Sequence, residues 1–370
     1  GSGFLAQSLS MFRINIDKNV QEFAHKNISE KKNSVFSIAM ILLVLISAAT
    51  NNHSIHSEAK APNDDSVFYR INTTIRQMEN QFWKQNIAFL RRKKEKLKKT
   101  KCYITIDETY DSYTGKLHKK DPKKLTKEEK ERRKYIHKYK PKAGDTGSFK
   151  YLVIALVYGN KRRVLCVKAL KRKEKYKDFI VEKLKEISKE ISFECALFDR
   201  GFYDAEFIDD LQKEKIPFII RARISKSMKR IFGIYRLWKS YQYLVSGVTE
   251  TTLILGKDRQ NKSWGFVTNM HFDMLEDVRF VYKKRWNIEN IFKATDGIQL
   301  RVATANHVTR MFAVCLSFLL YNAWQNKNKR PTLLDFMKEI FRMLFCFLRR
   351  AARCMELFRL NNPLWDFIAH

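Results

Sequence analysis

Residues 193–202 read FECALFDRGF, an apolar run that stops at an acid and a glycine. Short apolar runs with aromatic side chains that end at turn residues are typical of buried strands, so we predict a strand over Phe193–Phe198 that ends at Asp199. An earlier stretch, CYITID, has the same pattern and predicts a strand over Cys102–Ile106 that ends at Asp107. Each predicted strand therefore carries a carboxylate at its carboxyl end.

The segments between and after these two strands alternate between strand and helix patterns. The predicted elements are, in order, strands over Tyr151–Tyr158 and Arg163–Ala169 joined by a turn at Gly159-Asn160, a helix over Lys173–Glu190, the strand before Asp199, a helix over Tyr203–Lys213, a strand over Pro217–Arg221 and β-rich material over Ser225–Asn269. This order predicts an α/β fold in which the strands that end at Asp107 and Asp199 are neighbours.

Two neighbouring carboxylates repel each other unless a cation lies between them. Hard oxygen ligands favour Mg²⁺ or Mn²⁺, and a pair of such ions can activate the attacking oxygen and stabilise the leaving oxygen in phosphoryl transfer. An acid at a strand end is by itself usually a solvated loop residue. The hypothesis of a metal site therefore depends on the order of the elements together with the positions of Asp107 and Asp199.

A long helix is predicted from Asp273 to about Asp296, with further helices over about Ala303–Gln325 and Thr332–Leu360. On the first of these helices a third acid, Glu289, shares one face with an aromatic residue and two cations. The four residues of this face are Tyr282, Arg285, Glu289 and Lys293. The face suits a metal ligand beside DNA phosphate contacts, and an ordinary exposed ion-pair stripe is the alternative.

Three motifs in this order resemble the signatures of DDE transposases of the insertion-sequence-four type, which prokaryotic insertion-sequence elements encode. The motifs are Asp107-Glu108-Thr109, Asp199-Arg200-Gly201-Phe202 and Tyr282-x2-Arg285-x3-Glu289. The resemblance covers about residues 102–325 and implies a ribonuclease-H-like catalytic core with a β-rich insertion. It also implies that Asp107, Asp199 and Glu289 are catalytic residues that bind Mg²⁺ or Mn²⁺, with two ions.

The resemblance further implies a set of DNA contacts around these acids. Tyr282 and Arg285 would contact the backbone of the transposon end. Trp286 would stack on a flipped base, with burial in the core as the alternative. The family lysine seven positions after the glutamate falls at Asp296, so Lys293 is taken as its substitute. Arg200 would bind DNA, or it would only brace the Asp199 turn, where Gly201 supplies backbone freedom.

The charge of the chain points to nucleic acid. The 370 residues contain 72 Lys or Arg against 39 Asp or Glu, which gives a formal net charge of +33. A polyanion is needed to balance such a charge, so double-stranded DNA is the predicted partner and an anionic membrane surface the alternative. Val35–Ala49 is apolar over about fifteen residues, shorter than the roughly 20 that span a membrane, so we predict a buried helix and no membrane.

The six cysteines are scattered without metal-binding spacing, which favours a reducing compartment and excludes a zinc finger. We therefore predict a cytoplasmic, nucleoid-associated protein, with a homodimer on DNA. The predicted domain organisation is residues 1–10 as linker, 11–100 as a helical DNA-binding domain, 101–224 as the first part of the core, 225–270 as the β-rich insertion, 271–326 as the core helix with the glutamate, and 327–370 as a C-terminal helical region.

Two basic segments have alternative interpretations. Short helices around a turn at Pro62–Asp65, before a helix predicted over Asp65–Arg92, suit a helix-turn-helix DNA reader or a plain helical bundle. The Lys116–Lys142 stretch holds thirteen Lys or Arg and four acids, which suits phosphate binding or a solvated charged helix. We predict an enzyme, a DNA transposase that cleaves and joins DNA ends. A nuclease, an inactive derivative of the same fold and a non-catalytic DNA-binding protein are the alternatives.

Overall fold

A computed structural model describes residues 17–29, 38–50, 69–115, 125–226, 228–230, 239–302 and 304–356. The chain divides into two compact units. The first unit consists of Gly1–Phe82, Tyr110–Lys150 and Phe292–His370, and the second of Trp83–Thr109 and Tyr151–Ile291. The segments predicted as a helix-turn-helix around residues 54–65, and residues 116–124 of the basic insert, lie outside the described residues.

The described residues form helices and strands in a mixed order, which confirms the predicted α/β class. The helices are α1 (Lys18–Asn27), α2 (Ile38–Thr50), α3 (Ile75–Lys98), α4 (Lys127–Tyr135), α5 (Lys177–Glu190), α6 (Ala205–Lys213), α7 (Leu275–Tyr282), α8 (Trp286–Asp296), α9 (His307–Asn326) and α10 (Leu333–Glu356). The strands are β1 (Cys102–Tyr113), β2 (Ile136–His137), β3 (Gly147–Tyr158), β4 (Lys161–Leu170), β5 (Cys195–Phe198), β6 (Phe218–Arg221), β7 (Lys239–Val245), β8 (Thr249–Lys257) and β9 (Ser263–Thr268).

The strands form one mixed sheet in the order β2-β3-β1-β5-β6-β9-β8-β7, with β4 paired to β3. β1 and β5 are parallel, as are β5 and β6, whereas β9 runs antiparallel to β6. The prediction that the strands carrying Asp107 and Asp199 are neighbours is therefore confirmed. The β-rich character predicted for the insertion is also confirmed over β7–β9, which continue the same sheet beyond β6.

The second unit is built on the central part of this sheet. Apolar side chains of the strands pack against the buried faces of α5 and α6, where Leu184 and Phe207 are examples. The helix predicted from Lys173 begins four residues later, at Lys177. Lys173 has φ +62°, a left-handed conformation that an α-helix does not contain, so the residues before Lys177 form a loop.

The first unit is mostly helical. The predicted buried helix over Val35–Ala49 is confirmed in its described part, because the side chains of α2 from Val44 to Ala49 are buried. In α1, Phe23 packs on Phe312 of α9 with ring centroids 5.3 Å apart. Within the described residues, the helices are all too short or too polar to cross a membrane.

The helix predicted over Asp65–Arg92 is α3, and its bounds are shifted toward the carboxyl end. It begins at Ile75, after a turn in which Gln77 Oε1 accepts from the N–H of Thr74 and Thr74 Oγ1 accepts from the N–H of Gln77. This reciprocal arrangement is a capping box, and it fixes the helix start. α3 then continues to Lys98, so most of the basic run Arg91–Lys101 is the end of a helix.

Candidate active site

Asp107 and Asp199 occupy matching positions on two adjacent parallel strands. The register pairs Ile106 of β1 with Phe198 of β5, so each aspartate is the next residue after this pair. Because adjacent strands lie about 4.8 Å apart, the carboxylates leave the sheet side by side. The structure corrects one detail: β1 does not end at Asp107 but continues to Tyr113, so Asp107 lies within the strand.

The Asp107 carboxylate is mostly withdrawn from water, with 19% of its side chain exposed. Burial raises the pKa of Asp107 to about 6. The hydrogen bond from the Glu108 N–H lowers this pKa, the charge of Asp199 raises it further, and the charge of Arg285 lowers it. Oδ1 accepts from the Glu108 N–H at 2.8 Å and Oδ2 from Arg285 Nη1 at 3.0 Å. The site thus holds negative charge that its own hydrogen bonds do not fully stabilise.

Asp199 is oriented by the short 3₁₀ turn Arg200–Phe202 that follows it. Its Oδ1 accepts from the N–H of Gly201 at 2.7 Å. A Cβ at Gly201 would lie 2.9 Å from that same oxygen, so a side chain there would displace the carboxylate. The prediction that Gly201 supplies backbone freedom was wrong, because its φ is not in the left-handed region. The glycine instead leaves space for the Asp199 carboxylate. Phe202 is buried and holds the turn on the core.

The third acid comes from a segment that differs from its prediction. The single helix predicted over Asp273–Asp296 is interrupted, because α7 ends at Tyr282 and a 3₁₀ turn over Lys283–Arg285 precedes α8. Tyr282 is only 5% exposed, and its hydroxyl donates to the backbone oxygen of Phe198 at 3.1 Å. Tyr282 therefore ties the turn to the strand end that positions Asp199, and its predicted DNA contact stays a prediction.

Arg285 bridges the first and the third acid. Nη1 donates to Asp107, and Nη2 donates to Oε1 of Glu289 at 2.5 Å. The Arg285 side chain is 11% exposed, and its buried Nε has no hydrogen-bond partner among the described residues. Burial by itself would lower the pKa of Arg285, but the neighbouring Tyr282, Glu289 and Asp107 raise it overall, so Arg285 is always charged.

The donor set can be compared with the needs of a divalent cation. Asp107 and Asp199 offer hard oxygen atoms from adjacent strands. Burial raises the pKa of Asp107, and a bound cation would offset this penalty on the charged form, so both residues fit Mg²⁺ or Mn²⁺. Glu289 has 43% of its side chain exposed but is paired with Arg285. In the part of the chain that the structure describes, three acids, histidines or cysteines do not converge on one point.

The remaining predicted site residues lie on exposed surface. Arg200 lines a pocket of about 530 Å³ next to Asp199, together with Arg223, which the sequence analysis did not single out. Arg223 follows β6, the next parallel strand, and its position after a strand end was the signal that could have identified it. Trp286 is 57% exposed at the start of α8, so the alternative of a core tryptophan is wrong. Lys293 is exposed near the end of that helix.

The family described as "Transposase DDE domain" matches residues 137–323, just over half of the chain. The matched range includes Asp199 and Glu289 and begins after Asp107. No curated protein matches the chain.

Among solved structures, the fold is similar to that of the piggyBac transposase in a cryo-EM structure of its synaptic complex with hairpin DNA. The TM-score is 0.58 at 12% sequence identity, over 95% of this chain and 80% of that chain. The predicted ribonuclease-H-like fold is thereby confirmed. The chain belongs to the DDE transposase-domain family.

Proposed function

We propose that this chain is a DNA transposase that cleaves transposon ends and joins them to target DNA. The observation that carries the proposal is the parallel register of β1 and β5, which sets Asp107 beside Asp199 in a member of this family. The finer assignment to the insertion-sequence-four type of prokaryotic elements is part of the proposal. It rests on the Asp199-Arg200-Gly201-Phe202 and Tyr282-x2-Arg285-x3-Glu289 motifs.

DDE transposases generally use divalent metal ions. We propose that Asp107, Asp199 and Glu289 hold two ions, Mg²⁺ or Mn²⁺, which would activate the attacking oxygen and stabilise the leaving oxygen. Asp107 and Asp199 already lie together, and the excess negative charge at Asp107 favours a cation there. Glu289 is on the first turn of α8, where a change of side-chain rotamer moves its carboxylate without moving the backbone.

Under this proposal, the ion pair with Arg285 determines whether the Glu289 carboxylate is free to bind a cation. In this structure one side of its guanidinium binds Asp107 and the other side binds Glu289. A DNA phosphate is an anion that can replace Glu289, because guanidinium groups bind phosphate in a bidentate manner. We propose that phosphate binding to Arg285 releases the Glu289 carboxylate for the cations.

The exposed residues around the acids have roles in holding DNA under this proposal. Arg200 and Lys293 contact phosphates, and the exposed Trp286 stacks on a base that leaves the duplex. Tyr282 acts through the turn that it anchors, with a backbone contact to the transposon end as its predicted further role. The similar piggyBac structure is a synaptic complex with DNA, which supports DNA as the partner here. Assembly as a homodimer on DNA and action in the cytoplasm at the nucleoid are further parts of the proposal.

The test is excision of a short DNA segment from a plasmid. The segment is flanked by the sequences that surround the natural gene, and the purified protein is added with Mg²⁺. We expect double-strand breaks at both ends of the segment and joining of the released ends to a second plasmid. Breaks without joining would indicate the nuclease alternative. Tight DNA binding without breaks, in either Mg²⁺ or Mn²⁺, would overturn the proposal in favour of a non-catalytic DNA-binding protein.

A further inference from the structure

The loop Lys171–Tyr176, named here the 171–176 loop, connects β4 to α5 beside the candidate active site. The sequence of this loop is KRKEKY, with four cations and one acid. The sequence analysis assigned most of it to a helix, in which these side chains would point in several directions around the axis. The structure instead gives a fixed turn.

The turn is held by Glu174. Oε2 of Glu174 accepts from the Lys171 N–H at 2.8 Å, and the N–H of Glu174 donates to the Lys171 backbone oxygen at 3.2 Å. Its other oxygen, Oε1, pairs with Lys168 Nζ at 3.0 Å. Both carboxylate oxygens are therefore used within the turn and on β4. The one acid of the loop does not neutralise the cations at Arg172, Lys173 and Lys175.

Arg172, Lys173 and Lys175 are exposed and have no hydrogen-bond or ion-pair partner among the described residues. Neighbouring cations on the same segment are paired: Lys168 with Glu174, and Lys177 with Asp204 at 3.2 Å. The loop thus carries three uncompensated positive charges on a backbone that local hydrogen bonds hold in one conformation. Because the loop is already ordered, little conformational entropy is lost when it binds a polyanion.

Two contacts of Tyr176 hold the loop next to the residues that flank the two aspartates. The Tyr176 hydroxyl donates to Glu108, the residue directly after Asp107. The Tyr176 ring lies edge-on to Phe202 of the Asp199 turn, with ring centroids 6.4 Å apart. The 171–176 loop therefore reaches from the end of β4 to the residues that flank both aspartates.

The sheet gives a scale for the distance to the acids. β4 pairs with β3 and β3 with β1, so the end of β4 is two strands from β1, about 10 Å at a spacing of roughly 4.8 Å. A DNA duplex rises 3.4 Å per base pair, so this distance corresponds to about three base pairs. Tyr176 brings the carboxyl end of the loop back to Glu108, so the loop lies at the same end of the sheet as Asp107.

We propose that Arg172, Lys173 and Lys175 form a phosphate-binding site for the DNA backbone about one to three base pairs from the scissile phosphate, on one side of it only. This inference rests on the proposed function, since it concerns the same DNA substrate. It adds a contact surface that none of the three transposase motifs contains. The chemistry is that of phosphate recognition by charge, without reading of the base sequence.

The test is a scan with neutral linkages. Single methylphosphonates replace successive phosphates of a native-end duplex, and binding is measured in EDTA so that no cleavage occurs. The loop variant is Arg172→Gln, Lys173→Asn and Lys175→Gln, in which asparagine tolerates the left-handed conformation at position 173. The matched control is Lys96→Gln, Lys99→Gln and Lys101→Gln, which removes three exposed cations at the amino end of β1.

For the wild type and the control we expect weaker binding when the neutral linkage lies one to three positions from the cleavage site on one side. For the loop variant we expect no further weakening at those positions, together with a salt dependence of log K that is shallower by about 2.7 for three lost phosphate contacts. An unchanged interference pattern in the loop variant would overturn the inference. A wild type that binds the native ends but does not cleave them would overturn the proposed function instead, and an interference position that is lost only in the loop variant would then still demonstrate the phosphate contact of the loop.

Discussion

Strand β1 carries two aspartates four positions apart, and each is paired with a buried arginine. The Asp111 site, in the first unit, is saturated. Arg310 is 2% exposed, and its Nη1 donates to Asp111 at 2.5 Å and to the backbone oxygen of Ser112 at 3.1 Å. Its Nε donates to the backbone oxygen of Thr304 at 2.7 Å. The guanidinium also lies over the Tyr113 ring.

The Asp107 site, in the second unit, uses the same residue types but is incomplete. In the part of the chain that the structure describes, the buried Nε of Arg285 has no hydrogen-bond partner. The Glu289 side chain, which carries the second carboxylate bound to Arg285, is nearly half exposed. Burial raises the pKa of both aspartates of β1, but only Asp107, whose pKa is raised to about 6, has a second aspartate, Asp199, beside it on an adjacent strand. A pocket opens next to Asp199.

Under the proposed function, Arg310 stabilises the fold, whereas Arg285 is placed to bind a ligand. Breaking a buried, fully bonded pair costs stability because it leaves an uncompensated charge. A site with excess charge and an unused donor is already unfavourable in the free protein and becomes favourable only when a cation or a phosphate arrives. We therefore expect substitutions at the Asp107 site to change activity and substitutions at the Asp111 site to change stability.

The largest effect is expected for Asp199→Asn. Under the proposed function this change removes a metal ligand and several kcal/mol of transition-state stabilisation, and about 4 kcal/mol corresponds to about a 10³-fold slower reaction. Binding to native-end DNA should change by less than about twofold, because it depends on cations elsewhere. Single-turnover cleavage and fluorescence anisotropy measure the two quantities. Cleavage by Asp199→Asn at the wild-type rate would falsify the assignment of the acid.

The second effect compares the two arginines. Arg285→Lys should slow cleavage about 10²-fold with little change in Tm, because an ammonium group cannot span two carboxylates as a guanidinium does. Arg310→Lys should lower Tm by several degrees and leave cleavage per folded molecule unchanged, since it loses hydrogen bonds worth about 1–3 kcal/mol each. Thermal melting and active-site-normalised cleavage on both variants provide the comparison. The opposite pattern would remove the distinction between the sites.

A smaller effect is expected for Gly201→Ala. The new Cβ would lie 2.9 Å from Asp199 Oδ1, so the carboxylate must rotate away from its present orientation. We expect cleavage to slow about tenfold or more, because small displacements of reacting groups are costly. Gly297→Ala is the matched control, since the nearest atom to its Cβ would be the Ala294 backbone oxygen at 3.6 Å. Equal rates for the two variants would contradict the steric role of Gly201.

The last prediction concerns stability and pH in the metal-free protein rather than cleavage. An Asp107 pKa of about 6 in place of 3.8 corresponds to about 3 kcal/mol. Because this pKa is raised in the folded state, the wild type loses stability as the pH rises from about 4 through about 6, and Asp107→Asn does not. The Asn variant should therefore be more stable than the wild type at pH 8, and the difference should shrink toward pH 5. Denaturant unfolding at several pH values measures it.

Local sequence was sufficient for the parallel pair of aspartate strands, because their apolar runs and terminal acids lie within a few residues. It could not give the pairing of β9 with β6, because the periodicity of the inserted strands does not indicate which of them joins the edge of the sheet. The break between α7 and α8 also has no local signal, because neither Pro nor Gly occurs between Tyr282 and Trp286. Long-range contacts fix that turn, through the hydroxyl of Tyr282 and the guanidinium of Arg285.

The candidate site was predictable to a similar degree. The resemblance of the motifs predicted three acids, and the structure places two of them on adjacent parallel strands, as the order of elements predicted. The spacing placed Arg285 and Glu289 on one face but gave no indication that Arg285 would also bind Asp107. That bridge depends on the rotation of α8 relative to β1, which only packing determines. The cations of the 171–176 loop were missed because the run resembled the first turn of a helix.

The most direct test of the central claim is cleavage of one native-end duplex by Asp107→Asn and Asp111→Asn, measured side by side per folded molecule. The two substitutions make the same chemical change on the same strand. The account predicts that Asp107→Asn is folded and inactive, with cleavage at least about 10³-fold slower. It also predicts that Asp111→Asn melts earlier and cleaves at the wild-type rate. Wild-type cleavage by Asp107→Asn, or loss of cleavage confined to Asp111→Asn, would contradict it.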